Sequence, residues 1–383
     1  MILTQCAFCA VDLGLTLGKK CGRCSTRYCG AACQKKHWEE GGHDALCKAI
    51  KKAGGAEQYH ANNKYAAAVA VATKACADDT KGQTCYICTQ AVHWKTKEGL
   101  VRGCSCRGTA GFAHVSCLAE QAKILIAEVE ENNLGANALD ERWHRWHKCS
   151  LCEQEHHGVV ACALGWGCWK TYVGRPERDL SRISAMRRLG NGLSAAKHQE
   201  DALSVNKAEL SLLQRLGASE ESILAVRHNI AMVYQGLGRY EQALQMKRDV
   251  YSGRLRLSGE EHQETIRSAV NYGSALLSLG RFEETKSSSK KILPVARRVL
   301  GENHQLTLTI RFAYGVALYQ DDGATLDDVR EAVTTLEDTE RTARRVLGGT
   351  HPTVVSIGEA RRDSQAALAA REAGCAYSYK IRV

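Results

Sequence analysis

The side chains in this sequence that could do chemistry are cysteines and histidines set in short pairs. Between residues 83 and 152 they read Cys85-Tyr-Ile-Cys88, Cys104-Ser-Cys106, His114-Val-Ser-Cys117 and Cys149-Ser-Leu-Cys152. A second set opens the chain: Cys6 with Cys9, Cys21 with Cys24, Cys29 with Cys33, and His43 with Cys47. Thiolate sulfur and imidazole nitrogen are the donors that Zn²⁺ favours, and a pair this close in sequence closes a small chelate ring at little entropic cost. Each set of eight suits two tetrahedral ions, which predicts four Zn²⁺, two per finger. Four protein ligands on each ion leave no open position for a catalytic water, so the expected metal chemistry is structural. His37 competes with His43 for the first set, but three intervening residues before Cys47 favour His43. Cys76 falls outside both patterns and reads as a small buried residue. Cys162 and Cys168 lack the two further partners that another site would need.

Composition narrows the setting. A chain of 383 residues holds two to four units, with material for a sizeable core in at least one. The longest apolar runs, Tyr65 to Ala72 and Val159 to Trp169, fall short of the roughly 20 residues a membrane-spanning helix needs. Cys6, Cys9 and Asp12 stand where a secretory signal would want a basic start and an apolar heart, so a cytoplasmic or nuclear protein is expected. In such a setting eighteen cysteines point to zinc and not to a disulfide scaffold. The formal charge of +10 shrinks accordingly: four ions bring eight positive charges and fourteen thiolates bring fourteen negative ones, leaving +4. The basic residues left clustered are Lys19, Lys20, Arg23 and Arg27, then Lys48, Lys51 and Lys52, which read as the solvated rim of a small domain. Nucleic acid is therefore not the expected partner. No catalytic triad or phosphate loop is present to support hydrolase or kinase chemistry.

Two resemblances sharpen this reading. Tyr28 before Cys29, and the run Cys33-Gln34-Lys35-Lys36-His37-Trp38 leading to His43, resemble the MYND finger over residues 1–50. That resemblance implies cross-bracing, with Cys6, Cys9, Cys29 and Cys33 on one ion and Cys21, Cys24, His43 and Cys47 on the other; spacing alone also allows sequential pairing. It further implies a protein-binding role, with Gln34 and Trp38 beside a groove for short proline-containing peptides. Simple packing within the finger is the other reading of Trp38. The second set, with Arg107-Gly108-Thr109 following Cys106, resembles the RING-CH family of ubiquitin ligases. This implies Cys85, Cys88, His114 and Cys117 on one ion, Cys104, Cys106, Cys149 and Cys152 on the other, and Ile87 against a ubiquitin-conjugating enzyme. Such a module forms no covalent intermediate and works by orienting a thioester. The chain departs from the family in a long 118–148 loop, in Gln121 where the family often has Trp, and in Glu153 after the last ligand. Trp143 and Trp146 offer aromatic packing instead. A non-enzymatic interaction scaffold is thus the rival to a ligase.

Helices must position these residues. The alanine-rich stretch Ala56 to Ala77 predicts a helix in a connector spanning 51–82 that can hold the fingers at a fixed separation, and the 83–175 module carries a helix over Leu118 to Val129 and a hydrophobic helix near Cys162 to Tyr172. From 181 to 371 the sequence repeats itself. Leu237-Gly-Arg-Tyr-Glu241 recurs as Leu279-Gly-Arg-Phe-Glu283, and Gly259-Glu-Glu-His262 recurs as Gly301-Glu-Asn-His304 and Gly348-Gly-Thr-His351. These motifs resemble tetratricopeptide repeats of the kinesin-light-chain type, with residues 353–371 as a terminal cap helix and 372–383 as a tail. The fold expected is multidomain: two small cross-braced zinc fingers followed by an all-α tetratricopeptide superhelix. Aligned on the repeat, Arg187, Asn191, Asn229, Arg267 and Asn271 are candidates to hold the carboxylate of a client peptide, as basic and amide groups can.

Overall fold

The structure is a computed structural model that describes residues 4–14, 17–349 and 351–373; most of the expected 372–383 tail lies outside them. Among the described residues it is nearly all helical, and it divides into two compact units, one ending at Leu237 and the other beginning at Gly238. The first repeat helices fall in the same unit as the fingers.

In the first unit a two-stranded antiparallel ribbon, β1 (Lys19–Lys20) and β2 (Arg27–Tyr28), precedes α1 (Ala31–Glu39) and α2 (His43–Lys52). The connector is α3 (Ala56–Ala75), which at 20 residues is about 30 Å long. It is embedded at both ends. Ala56 lies in the core of the first finger with Tyr28, Cys47 and Ile50, and its N–H donates to the Cys24 carbonyl. Val69 and Ala72 lie in the core of the second finger with Leu100, Phe112 and Leu118. The second finger adds α4 (Val115–Glu131), longer than the helix expected over Leu118 to Val129, then α5 (Gly135–Trp143) and a 3₁₀ turn (His144–Trp146).

Helix α6 (Gly158–Tyr172) joins finger to repeats. Its Val160, Ala163 and Leu164 enter the finger core, and a Cβ on Gly103 would sit 2.5 Å from Val160. The opposite face packs on α7 (Leu180–Ala195) at glycine distance: a Cβ on Gly192 would meet the Ala161 carbonyl at 2.6 Å, and one on Gly165 the Arg188 carbonyl at 3.0 Å. Hairpin partners α8 (Gln199–Arg215) and α9 (Glu220–Gly236) complete this unit. Cys162 and Cys168 are buried within α6, outside the four-donor clusters found among the described residues, and Cys76 is buried as expected.

The second unit comprises α10 (Tyr240–Ser258), α11 (Gln263–Ser278), α12 (Phe282–Leu300), α13 (Gln305–Gln320), α14 (Leu326–Leu347) and α15 (Pro352–Glu372). Here the recurring Gly-x-x-His motif has a physical meaning. Gly259, Gly301 and Gly348 end α10, α12 and α14 at φ of +77°, +89° and +83°, a region open to glycine. Three residues later His262, His304 and His351 cap the next helix, each ring Nδ1 accepting a backbone N–H at 3.2–3.3 Å. One motif thus stops one helix and starts the next. The loop between α13 and α14 is tied back by an ion pair from Lys286 to Asp321 at 2.7 Å, and a Thr325–Asp328 capping box opens α14.

Glu340 on α14 accepts from Arg344 of its own helix and from Arg361 on α15, at 2.7 and 2.6 Å, with its side chain only 9% exposed. Burial works against its charge, but the two guanidinium groups prevail and hold its carboxyl below the usual carboxylate range. A depressed folded-state pKa stabilises above the unfolded value near 4.3 and is lost as pH falls through the folded one. Glu340→Gln is therefore expected to destabilise the α14–α15 pair by about 1–3 kcal/mol at neutral pH. The deficit should shrink toward zero in acid, as read by hydrogen exchange of the α14 and α15 amides.

Candidate metal centres

The four Cys-x2-Cys pairs share one backbone device. The N–H of Ala10, Ser25, Thr89 and Glu153 donates to the carbonyl of Cys6, Cys21, Cys85 and Cys149 at 2.8–3.0 Å, while those cysteines donate their own N–H to the carbonyls of Val11, Thr26, Gln90 and Gln154 in turn. The residue after the second cysteine is left-handed every time, at φ of +58°, +62°, +62° and +55°. This turn aims two sulfurs to one side. Backbone N–H groups of Ile87 and Cys88 also point at the Cys85 sulfur, at 3.4 and 3.5 Å, which favours its thiolate.

Helices supply the rest. Cys33 comes from α1, His43 and Cys47 from α2, Cys117 from α4, and His114 immediately precedes α4. Four clusters result, in each of which all donor atoms lie within 4.8 Å of one another: Cys6, Cys9, Cys29 and Cys33; Cys21, Cys24, His43 and Cys47; Cys85, Cys88, His114 and Cys117; Cys104, Cys106, Cys149 and Cys152. The cross-braced arrangement, and not the sequential one, is what the chain adopts. His37 is outside these clusters, held by the Tyr28 hydroxyl at 3.0 Å.

The spacing fits zinc. Sulfurs on a tetrahedron with arms of about 2.3 Å stand roughly 3.8 Å apart. Cys9–Cys29 are at 3.6 Å, Cys21–Cys47 at 4.0 Å and Cys106–Cys149 at 3.8 Å. His43 Nε2 lies 3.4 Å from the Cys24 sulfur, and His114 Nδ1 lies 3.4 Å from that of Cys88. Burial lowers the pKa of both imidazoles and so favours the neutral, ligating form.

Electrostatics also calls for a cation. Cys6 is drawn down to about 6: burial opposes this, and the backbone N–H groups of Cys9, Cys29 and Phe8 outweigh it. Beside it the neighbouring Cys29 thiol pushes Cys33 up to about 12. The other clusters behave alike, with Cys152 lowered to about 7 by the Gln154 N–H, and Cys47 raised to about 11 by burial and by Cys24 and Cys21. Sulfurs this close cannot all ionise unless a dication joins them.

Three family models match the chain on these same stretches. The MYND finger model matches residues 6–47, the RING-variant domain model residues 85–134, and the tetratricopeptide repeat model residues 222–284. The chain carries a MYND finger, a RING-variant domain and tetratricopeptide repeats. No curated protein matches it. Among solved structures, a Podosopora anserina protein of nearly identical TPR-like repeats that bears a kinesin light chain name is 17% identical, covers 61% of this chain and 97% of its own, and has a TM-score of 0.40. BtubC (BKLC) from P. vanneervenii is 14% identical, covers 70% of this chain and 95% of its own, and has a TM-score of 0.41.

The RING-variant match stops before Cys149 and Cys152, and the fold brings that pair to Cys104 and Cys106. Tyr86 in the first knuckle bonds Ser150 in the last at 3.0 Å, linking the two clusters of the domain. Ile87 is half-buried and lines a groove of about 810 Å³ with Trp94, Gln121 and Ile124. Trp94, 69% exposed, and Ile124, 49% exposed, were not singled out from sequence, since neither belongs to a spaced motif. Glu153 pairs with Arg145 at 2.8 Å, so the position after the last ligand is charge-compensated. Trp146 is fully buried against Tyr172, as its expected packing role requires.

In the MYND finger, Trp38 is 43% exposed with its ring 5.7 Å from His43, and Gln34 is half-buried on the same helix. The repeat candidates divide between the units. In the first, Arg187 turns to the buried Glu209 at 2.9 Å, and Asn191 and Asn229 are half-buried; in the second, Arg267 is exposed and pairs with Glu264 at 3.2 Å, and Asn271 is half-buried.

Cys47 is fully buried. Cys47→Ser should weaken metal binding at its cluster by more than the roughly 10–100-fold that loss of an outer-shell partner costs. Amide exchange across residues 21–52 should rise sharply while that of residues 238–373 stays unchanged, and a strong chelator should extend the effect to the RING-variant domain.

Proposed function

We propose that this protein is a zinc-dependent ubiquitin ligase of the RING-CH type, holding four Zn²⁺ through fourteen thiolates and two imidazoles. The observation that carries this reading is the groove beside Ile87, where an exposed indole and an exposed isoleucine flank the first knuckle of the RING-variant domain. Such a rigid, partly apolar surface suits a folded partner, and aromatic anchors supply much of the energy at such interfaces. Trp94 takes the part that Gln121 cannot. The conjugating enzyme docks there, and the domain orients its thioester without bonding to ubiquitin. Client proteins are selected elsewhere: by Gln34 and Trp38 on the MYND finger, by Asn229 in the first unit, and by Arg267 and Asn271 in the second. The thiolates require a reducing compartment, the cytoplasm or nucleus. No helix among the described residues is long and apolar enough to cross a membrane.

A scaffold without an enzymatic step is the second reading. It is favoured by the Arg145–Glu153 pair, which neutralises the spot where many active RING modules present a basic or polar group.

Autoubiquitination with a panel of conjugating enzymes separates the two. The ligase reading expects activity in the wild type, a loss of about tenfold or more in Ile87→Ala and Trp94→Ala with zinc content intact, and loss of both in Cys104→Ser; tenfold corresponds to about 1.4 kcal/mol of docking energy. Silence with every conjugating enzyme, alongside four zinc equivalents by native mass spectrometry, would leave the scaffold.

A further inference from the structure

The four ligand clusters are not equally sheltered. Cys9 and Cys29 are exposed and Cys33 is half-buried, which leaves Cys6 as the buried member of its set. In the other three clusters no ligand is exposed, and the one made by Cys21, Cys24, His43 and Cys47 is buried throughout. The sets also differ in charge. Four thiolates on a dication leave two negative charges, whereas three thiolates and a neutral imidazole leave one. Cys6, Cys9, Cys29 and Cys33 thus combine the richer charge with open access. The other all-cysteine set, Cys104, Cys106, Cys149 and Cys152, has that charge without an exposed member.

Thiolate character and access decide which cysteine an oxidant reaches. The geometry here also supplies a second sulfur at once, since that of Cys33 lies 3.3 Å from that of Cys29. Helix α1 depends on this cluster. None of its residues is buried, and its N-cap, Gly30, offers no side-chain bond. Ala31 and Ala32 are exposed, so Cys33 is what ties down the start of the helix, while His37 holds the later part through the Tyr28 hydroxyl and the rings of Phe8 and His43.

We infer that Cys29 and Cys33 form a peroxide-responsive modification site in the zinc-loaded protein: their oxidation to a disulfide dismantles the outer MYND cluster and loosens α1, while the three sheltered clusters persist. The Cys29 thiolate attacks one oxygen of hydrogen peroxide; the O–O bond breaks, hydroxide leaves and a sulfenic acid forms. The Cys33 thiolate then attacks that sulfur, an S–S bond forms, the S–O bond breaks and a second hydroxide leaves. Two electrons pass from the sulfurs to the peroxide, and two solvent protons turn both hydroxides into water. Cys6 and Cys9 are then the only thiolates left, half of what a closed zinc site uses. Gln34 and Trp38 lie on α1, so oxidation withdraws client selection by the finger and spares the groove beside Ile87. That consequence rests on the function proposed above; the modification itself does not.

The test exposes the zinc-loaded full chain to hydrogen peroxide. Released zinc is followed with a chromogenic indicator, and disulfides are mapped by peptide mass spectrometry after free thiols are alkylated. One equivalent of zinc should be released at least tenfold faster than the other three, with Cys29–Cys33 the disulfide present at that stage. Amide exchange should then rise over residues 29–40 and stay unchanged over 43–52 and 238–373, and dithiothreitol with added Zn²⁺ should reverse both changes. Earlier loss from another cluster, simultaneous loss from all four, a different first disulfide, or unchanged exchange in α1 after the first equivalent is released would overturn the assignment. These readouts involve neither a conjugating enzyme nor a client, so they hold or fail apart from the ligase reading.

Discussion

Sulfur crowding is the constraint on which this molecule depends. Each finger places eight donors in two clusters so tight that their thiolates repel, and no disulfide joins any described pair. The backbone has already made the commitment, since each Cys-x2-Cys turn holds a non-glycine residue in the left-handed region at a cost of order 1 kcal/mol. A small domain has little core with which to offset that strain. The MYND finger buries mainly Leu13, Tyr28, Ile50 and Ala56 besides its cysteines, and α1 buries no residue fully. A dication that converts repulsion into four bonds would make the turns favourable, and metal binding and folding would then be one equilibrium there.

That equilibrium extends beyond the fingers. Cys85 and Cys117 share a core with Val69 and Ala72 of α3 and with Val160, Ala163 and Leu164 of α6, so the RING-variant clusters and these two helices order one another. Helix α6 then meets α7 at glycine distance, where no side chain cushions a change in one helix from the other. The first repeat helices are thus built on the finger and not merely tethered to it. The compact unit accordingly runs on through α7, α8 and α9 to Leu237.

The sequence was most legible where chemistry imposes a fixed spacing. Ligand pairs are local, so Cys85 and Cys88 could be read directly. The Gly-x-x-His repeat was equally plain, although its double role at helix ends emerged only with the capping geometry of His262, His304 and His351. What spacing cannot reveal is which way a side chain turns in tertiary context. Arg187 and Arg188 are indistinguishable as letters, and the buried Glu209, twenty-two residues from Arg187, decides which of them is engaged. Trp94 sits in a loop without periodicity, and only the approach of α4 with Ile124 gives it a groove to line.

Glu153 shows how these levels meet in one residue. Its backbone must be left-handed to complete the last knuckle, a conformation for which glycine or asparagine would be the easier choice. A long acidic side chain at such a place needs a reason outside the turn. Arg145 provides it: one arm of its guanidinium reaches Glu153 and another reaches the Cys149 carbonyl at 3.2 Å, so the pair fastens the 3₁₀ turn carrying Trp146 to the knuckle carrying two ligands. Trp146 in turn packs on Tyr172 at the end of α6. The residue that departs most from the ligase pattern is therefore accounted for by the architecture, which fastens the metal site to the helix on which the repeats are built.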